Sequence, residues 1–186
     1  MLPRYILPFL VILSFSLASW GFGQQEARPR TENGKARGAI ILASVTGPVQ
    51  VFSNATGQPL PAARIVAGTV LYEGHTVVCG RGGTVLLLFS NGTVANLKPR
   101  TRLNLVRFRQ ATFRAALNEK LSDLQNEPSV SVTRINLNFG NVVIDVKQLA
   151  RTSSFEVKSP VGTAGIRGTC ISINVRPAAG GGFTSK

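Results

Sequence analysis

Residues 84–97 read TVLLLFSNGTVANL, and this stretch decides the fold class. Two apolar runs flank the pair Asn91-Gly92, which is a strong hairpin signal because a type I′ turn needs positive φ at both central residues. Short apolar runs separated by turn residues continue on both sides, from Ala39 onward. The pattern predicts an all-β domain, built as an antiparallel β-sandwich or a solenoid-like sheet.

A second hairpin is predicted over residues 135–146, INLNFGNVVIDV. Residues 135–139 alternate apolar side chains with Asn136 and Asn138, which is the two-residue period of a half-buried strand. Gly140-Asn141 reads as a tight turn, and the apolar alternation returns after it. We therefore expect two paired strands here.

Residues 112–126 break the strand rhythm. Phe113, Leu117, Leu121 and Leu124 recur at helical spacing, and Pro128 closes the run. The spacing predicts one inserted amphipathic helix at about residues 112–126, with its apolar face capping one end of the sheet. Binding of this face to a partner's groove is the alternative.

The two ends of the chain differ in composition from its centre. Residues 1–23 contain Arg4 followed by an apolar run and small residues, which is typical of a secretory signal peptide cleaved after Gly23, with Ser19 as the rival position and an uncleaved anchor as the alternative. Residues 24–38 are polar and predict a disordered linker.

Residues 39–176 form the β domain. Residues 177–186 read as a turn and a shortened C-terminal strand, which is typical of a fragment of a longer protein or of an unpaired sheet edge. No later stretch is long and apolar enough to span a membrane. We expect a periplasmic or secreted protein.

The chain is strongly basic. Its formal net charge is +13, and removal of residues 1–23 takes away Arg4 and no acid, which lowers the charge to +12. Such a charge attracts anionic partners over long range. An envelope protein or an anionic polysaccharide is the predicted partner.

The basic residues are densest in residues 98–114, KPRTRLNLVRFRQATFR, which contain no acid. Strand parity places Arg100 and Arg102 on one side, and Arg107 and Arg109 with the leucines on the other. The charges therefore do not form one stripe, and although Phe108 and Phe113 stand among them we consider nucleic acid an unlikely partner. The four arginines remain candidates for binding a partner.

Residues 159–175, SPVGTAGIRGTCISINV, place three glycines at a spacing of three before an alternating strand pattern. The spacing differs from that of nucleotide-binding loops. We predict a bulge or corner built from Gly162, Gly165, Gly168 and Thr169 that turns the chain into its last strand. Arg167 would project from this corner, where its guanidinium could hold loop carbonyls or an acid such as Asp145 or Glu156; contact with a ligand is the alternative.

Neither catalysis nor a cofactor is predicted. His75 is the one histidine, and the eight acids are scattered, so no base and acid are set beside a nucleophile and no metal-ligand set is visible. Cys79 and Cys170 lie in different predicted strands. They form either one disulfide, as export would permit, or two half-buried thiols.

Three of the quoted segments resemble the FecR domain family. Residues 71–103, LYEGHTVVCGRGGTVLLLFSNGTVANLKPRTRL, are similar to its first half, although His75 stands where the family usually has aspartate. Residues 135–146 resemble its strand-glycine-strand element, and residues 155–175 its final Arg-Gly-Thr turn and strand. The resemblance covers about Ala39 to Val175 and implies an extracytoplasmic all-β module.

The resemblance also implies two functions. Well-known FecR sensors carry a cytoplasmic segment that binds a sigma factor, yet five residues precede the apolar run here and eleven follow Val175. We therefore expect a non-enzymatic module of the bacterial cell envelope that binds a macromolecule. The alternative is a periplasmic regulator in a FecR-type transmembrane signalling pathway that controls a sigma factor.

Overall fold

The structure is a computed structural model that describes residues 34–114, 120–177 and 183–185. These residues form thirteen β-strands and two 3-10 helices, so the predicted all-β class is confirmed. The strands are β1 Ala36–Arg37, β2 Ile40–Thr46, β3 Val49–Ser53, β4 Val70–Leu71, β5 His75–Cys79, β6 Thr84–Phe89, β7 Val94–Leu97, β8 Thr101–Gln110, β9 Ser131–Asp145, β10 Ser154–Ser159, β11 Gly162–Ile166, β12 Cys170–Pro177 and β13 Phe183–Ser185. The 3-10 helices are Ala62–Arg64 and Leu121–Asp123.

The strands belong to one curled sheet whose main path runs β3-β5-β8-β9-β7-β6-β2-β4. Strand β1 pairs with β8, while β10 and β12 both pair with β9 and carry β11 and β13 at their outer sides. The pairs are antiparallel except for β10, which is parallel to the first half of β9. The long strand β9 therefore belongs to both halves of the sheet.

The inner faces of the two halves share one apolar core. The ring centroid of Phe89 in β6 lies 5.2 Å from that of Phe108 in β8 and 6.1 Å from that of Phe155 in β10. Strand β6 belongs to the half built on the second part of β9, whereas β8 and β10 both belong to the half built on its first part, so these ring contacts show that the halves pack face to face. Removal of this apolar surface from water supplies the main stabilisation of the fold. The completely buried side chains include Ile40, Leu87, Leu97, Leu103, Leu137 and Ile144.

Strand β9 runs through Gly140-Asn141 without a turn, so the predicted second hairpin is wrong. Residues 131–139 pair with β8, whereas residues 140–145 pair with β12 and partly with β7. Gly140 has a φ of +101°, and around it the buried positions shift from odd ones such as Leu137 to even ones such as Val142. The glycine redirects the strand from one half of the sheet to the other instead of reversing it.

The predicted hairpin of β6 and β7 is confirmed, but its turn is not of type I′. The amide of Gly92 donates to the carbonyl of Phe89 at 2.9 Å, and among residues 90–92 only Gly92 has positive φ, at +86°. This is the type I turn followed by a left-handed glycine that closes three-residue loops. Asn91 is buried instead: its Oδ1 accepts from the amide of Thr93 at 3.1 Å, and its Nδ2 donates to Ser131 Oγ at 3.1 Å.

The described residues do not form the predicted amphipathic helix. Residues 112–114 have no regular structure, residues 115–119 lie outside the described ranges, and Leu121–Asp123 make a single 3-10 turn. The carbonyl of Leu121 and the side chain of Leu124 lie against Gly92 in the β6–β7 turn. Tertiary contact with this turn thus overrides the helical spacing of the leucines.

The predicted disordered linker is wrong for its last residues. Strand β1 lies within residues 24–38, and its Ala36 and Arg37 stand opposite Gln110 and Arg109 of β8. The predicted signal peptide of residues 1–23 and the rest of the linker lie outside the described ranges. The ordered domain therefore begins before Ala39.

The glycine-rich segment forms a strand for most of its length. Residues 162–166 are β11, so the predicted bulge or corner is wrong for Gly162 and Gly165. Within the described residues β11 pairs only with β10, and an edge strand tolerates glycine. The corner is limited to residues 167–169, where Gly168 has a φ of +76°, and it leads into β12 as predicted.

Candidate partner-binding surface

A β-bulge in β8 decides where its arginines point. The register of β8 against β9 shifts between Leu105 and Arg107, so that Val106 has no residue opposite it. Leu105 is buried, while Arg102, Arg107 and Arg109 all lie on the opposite face, which we call the outer face. Strict alternation of side chains, which predicted Arg107 and Arg109 on the same face as the leucines, is wrong here. The bulge adds one residue and so moves both arginines to the other face.

Arg109 is engaged within the domain. Its Nη2 atom lies 2.6 Å from Glu73 Oε1, and the two side chains are only 13% and 14% exposed. Glu73 Oε2 also accepts from the amide of Phe108 at 3.1 Å, and Arg37 approaches Oε1 at 3.8 Å. Because breaking a largely buried ion pair leaves an uncompensated charge, Arg109 serves the fold.

Of the two aromatic residues in this basic run, the one that lies in β8 does not face outward. Phe108 is 1% exposed and packs against Phe89 in the core. Binding of single-stranded nucleic acid relies on aromatic faces that bases can stack on. Phe108 offers no such face.

A row of polar residues crosses five strands on the outer face. The asparagine at its centre, Asn104, accepts at Oδ1 from Asn54 Nδ2 at 2.8 Å, and Asn54 Oδ1 accepts from Thr76 at 2.6 Å. The next asparagine along the row, Asn136, has a buried Oδ1 without a hydrogen-bond partner. In order across β5, β8, β9, β10 and β11 the row consists of Thr76, Asn104, Asn136, Lys158 and Thr163.

A second row beside it carries charge. Arg107 of β8 stands opposite Arg134 of β9, which stands opposite Glu156 of β10, and Arg134 Nε lies 2.9 Å from Glu156 Oε2. The two rows enclose a shallow depression of about 390 Å³ between Val106 and Thr163. The outer face thus presents fixed amides and an excess of positive charge beside the edge strand β11.

Arg167 lies apart from this surface, at the corner before β12. Its Nη2 atom donates to the carbonyl oxygens of Ala150 at 2.9 Å and Arg151 at 3.1 Å. Contact with loop carbonyls is one of the roles predicted for it. The acids proposed as the other choice are occupied elsewhere, since Glu156 pairs with Arg134 and Asp145 with Lys147 at 2.9 Å.

Gly168, the glycine of this corner, allows the chain next to Arg167 to pack closely against Gln148. A Cβ on Gly168 would collide with the side chain and backbone of Gln148. The amide of Gln148 donates to the carbonyl of Gln125 at 3.0 Å, and the amide of Val146 donates to the carbonyl of Thr169 at 3.1 Å. The corner therefore joins the β9–β10 connection to the segment after Leu121–Asp123.

Arg100 also lies apart, in the loop between β7 and β8. It is exposed and has a φ of +56°, and it is the one non-glycine among the described residues with positive φ. It lines a cavity between this loop, the centre of β9 and the end of β12. The structure therefore distributes the predicted arginines over three places rather than one edge.

The two cysteines are free thiols, so the possible disulfide is not formed in this structure. Cys79 is buried in β5, and burial raises its pKa to about 11. Cys170 is exposed at the start of β12. Among the described residues no three His, Cys, Asp or Glu side chains come together as a metal site, and no helix is both long and apolar enough to cross a bilayer.

Sequence reasoning missed several outer-face residues. Asn104, Arg134, Lys158 and Thr163 come from four strands, β8 to β11, and only strand register brings them together. The alternating Asn136 and Asn138 were the one available signal, since asparagine is uncommon inside strands.

The described residues thus form an all-β domain with one core and a polar, cationic outer face. A family model described as FecR protein matches residues 75–184. The chain belongs to the FecR family, as the resemblance of its motifs implies. No curated protein and no solved structure matches it significantly.

Proposed function

We propose that this chain is a non-enzymatic signalling regulator of the FecR type, which acts by docking a protein partner on its outer face. The family match over residues 75–184 carries this proposal, because FecR is a regulatory family. The function corresponds to the alternative that the sequence left open. The envelope-binding module without a regulatory role is the competing proposal.

The outer face supports a partner of a particular kind. Arg102 and Lys158 are exposed, Arg107 and Arg134 add positive charge, and Glu156 is the acid among them. Opposite charge across an interface steers encounter and fixes register. An acidic partner surface fits this face.

The edge strand β11 supports a mode of docking. It hydrogen bonds to β10 on one side, and Gly165 has open space where a side chain would be. An extended segment of a partner can add to such an edge through backbone hydrogen bonds. Its side chains would then meet Lys158 and the depression next to Thr163.

The regulatory role is tested by deletion and complementation. Loss of the gene should change the transcription of a defined set of genes, and the wild-type chain should restore it. Lys158→Glu and Arg102→Glu should fail to restore it, because each reverses an exposed outer-face charge. Arg64→Glu, an exposed charge in the first 3-10 helix, is the matched control and should restore it. A deletion that leaves every transcript unchanged contradicts the regulatory role.

Docking is tested separately by a photo-crosslinking residue placed at Thr163 on β11. This position should capture one envelope protein in cells, and the same residue at exposed Ala63 should not. Equal capture from both positions would contradict docking at the outer face.

We propose that export precedes this function, with residues 1–23 as a cleaved signal peptide and the domain in the periplasm or outside the cell. The apolar run from Ile6 to Trp20 after Arg4 supports it. Fusion of residues 1–23 to a phosphatase that is active only after export should give activity. A protein purified from cells with Met1 intact would contradict cleavage.

A further inference from the structure

The cavity lined by Arg100 lies where the chain crosses between the halves of the sheet. It has a volume of about 760 Å³ and is formed by the β7–β8 loop, the centre of β9 and the end of β12. We call it the crossover pocket. Its charged, amide and aromatic lining residues are Lys98, Arg100, Phe139, Asn141, Asn174 and Arg176.

Positive charge dominates the crossover pocket. Lys98, Arg100 and Arg176 line it, and no acidic residue does. No ion pair joins any of the three to a carboxylate of the described residues, and residues 178–182, which follow β12, contain no acid. The described acids are used elsewhere: Glu73, Asp145 and Glu156 in ion pairs, Glu127 with Ser131 and Ser153, and Asp123 with Ser122.

The backbone of Arg100, one of the three cations, has a strained conformation. Arg100 has left-handed φ, a conformation that destabilises a non-glycine residue by about 1 kcal/mol or more and that occurs mainly at binding sites and turns. The amide of Arg100 donates to the carbonyl of Gly80 at 3.1 Å, and the amide of Lys98 donates to that of Asn141 at 3.0 Å. These two backbone hydrogen bonds therefore fix the loop that carries Arg100.

Asn141 provides a polar group without a partner. Its backbone is pinned to Thr101, whose Oγ1 accepts from the amide of Asn141 at 3.0 Å and donates to its carbonyl at 3.1 Å. Its side-chain Oδ1 is buried and has no hydrogen-bond partner. An unsatisfied buried acceptor is costly, and a rotation of the amide toward the cavity would let a hydroxyl group of a ligand satisfy it.

We propose that the crossover pocket binds a saccharide that carries a carboxylate or phosphate group. The three cations match the anionic group, since arginine binds carboxylate and phosphate through charge-assisted hydrogen bonds. The amides of Asn141 and Asn174 match sugar hydroxyls, and the half-buried ring of Phe139 provides an apolar wall for the sugar ring. This site goes beyond the proposed regulatory function and does not depend on it.

The test uses calorimetric titration of the purified chain at low salt with two acidic probes. Hexagalacturonate carries carboxylates, and pentamannosyl phosphate carries phosphate, so the pair separates the two sources of negative charge. Binding of either probe is expected. Neutral maltohexaose should not bind, and failure of both acidic probes to bind overturns the proposal.

Two variants locate the site. Arg100→Gly removes the guanidinium but favours the left-handed backbone, so it should lower affinity by about tenfold while the chain stays folded. Arg176→Ala should lower affinity similarly. Arg81→Ala, an exposed arginine in the β5–β6 turn that is absent from the pocket, is the control and should leave affinity unchanged.

Two results would contradict the assignment even if binding is seen. Equal affinity of wild type, Arg100→Gly and Arg176→Ala would place the probe elsewhere on the basic surface. Equally tight binding of polyglutamate, lost in the same two variants, would mean that the pocket takes any polyanion and not a saccharide. Neither result bears on transcription, so failure here is distinct from failure of the regulatory proposal.

Discussion

The guanidinium of Arg167 and the carboxylate of Glu127 hold the same residue from opposite sides. Arg167 Nη2 lies 2.9 Å from the carbonyl oxygen of Ala150, and Glu127 Oε1 accepts from the amide of Ala150 at 2.8 Å. The β9–β10 connection is thus held by one positive and one negative group. Because β10 is parallel to the first half of β9, this connection must run back along the domain, and Ala150 lies within it.

Arg167→Ala should lower the stability of the domain. The change removes two hydrogen bonds to carbonyls, and since the side chain is exposed we expect a loss of about 1 kcal/mol, seen as a lower Tm. Thermal unfolding followed by circular dichroism measures it. Arg151→Ala keeps the accepting carbonyl and is the matched control, with no change expected. An unchanged Tm together with lost partner binding would instead make Arg167 a ligand contact.

Glu127→Gln should be more damaging than Arg167→Ala. Glu127 accepts hydrogen bonds from the amide of Ala150 and from Ser131 and Ser153, both of which are buried. Because the amide replaces one accepting oxygen with a donor, buried hydroxyls lose partners, and we expect a loss of about 2 kcal/mol in the free energy of unfolding. Urea titration measures it. Asp123→Asn, at an exposed position bonded to Ser122, should change it little, and equal effects of the two variants would contradict a special role for Glu127.

Deletion of Val106 should be tolerated. Val106 is the extra residue of the bulge, and without it Leu105 and Arg107 would stand opposite the consecutive residues Ile135 and Arg134. The side chains of β8 would still alternate between the core and the outer face, so a cooperative unfolding transition should remain. Deletion of Asn104 removes a paired residue and turns apolar side chains to solvent, at a cost of about 2 kcal/mol or more. Comparison of the two deletions by urea titration tests this, and equal losses would refute the bulge as the cause of the arginine placement.

The two cysteines should differ in reactivity. Burial raises the pKa of Cys79 to about 11, so at pH 8 only about one thiol in a thousand is ionised, whereas Cys170 is exposed. A maleimide should label the native protein once, and labelling should vanish in Cys170→Ser. Both thiols should react after unfolding. A native protein that resists labelling until it is reduced would show instead that the two cysteines are joined.

The positions of the site residues depend on contacts between distant segments, which a sequence pattern does not show. Val106 and Gly140 each shift the alternation of a strand. The break at Gly140 is visible in the sequence, but only its pairing partners decide that the strand continues there, and the bulge at Val106 is invisible because a bulge is defined by what stands opposite. The leucines at 117, 121 and 124 keep helical spacing, yet Leu121 and Leu124 contact the turn at Gly92. In each case a partner distant in sequence decided the local conformation.

The sequence by itself determined the β class, the hairpin around Asn91, the corner that carries Arg167 and the family motifs, because period-two alternation and turn residues act over a few neighbouring residues. Only the tertiary structure decided the unbroken β9, the outer face shared by Arg102 and Arg107, and the pocket beside Arg100. These features depend on strand register between distant segments, where one added residue reverses the direction of every side chain that follows.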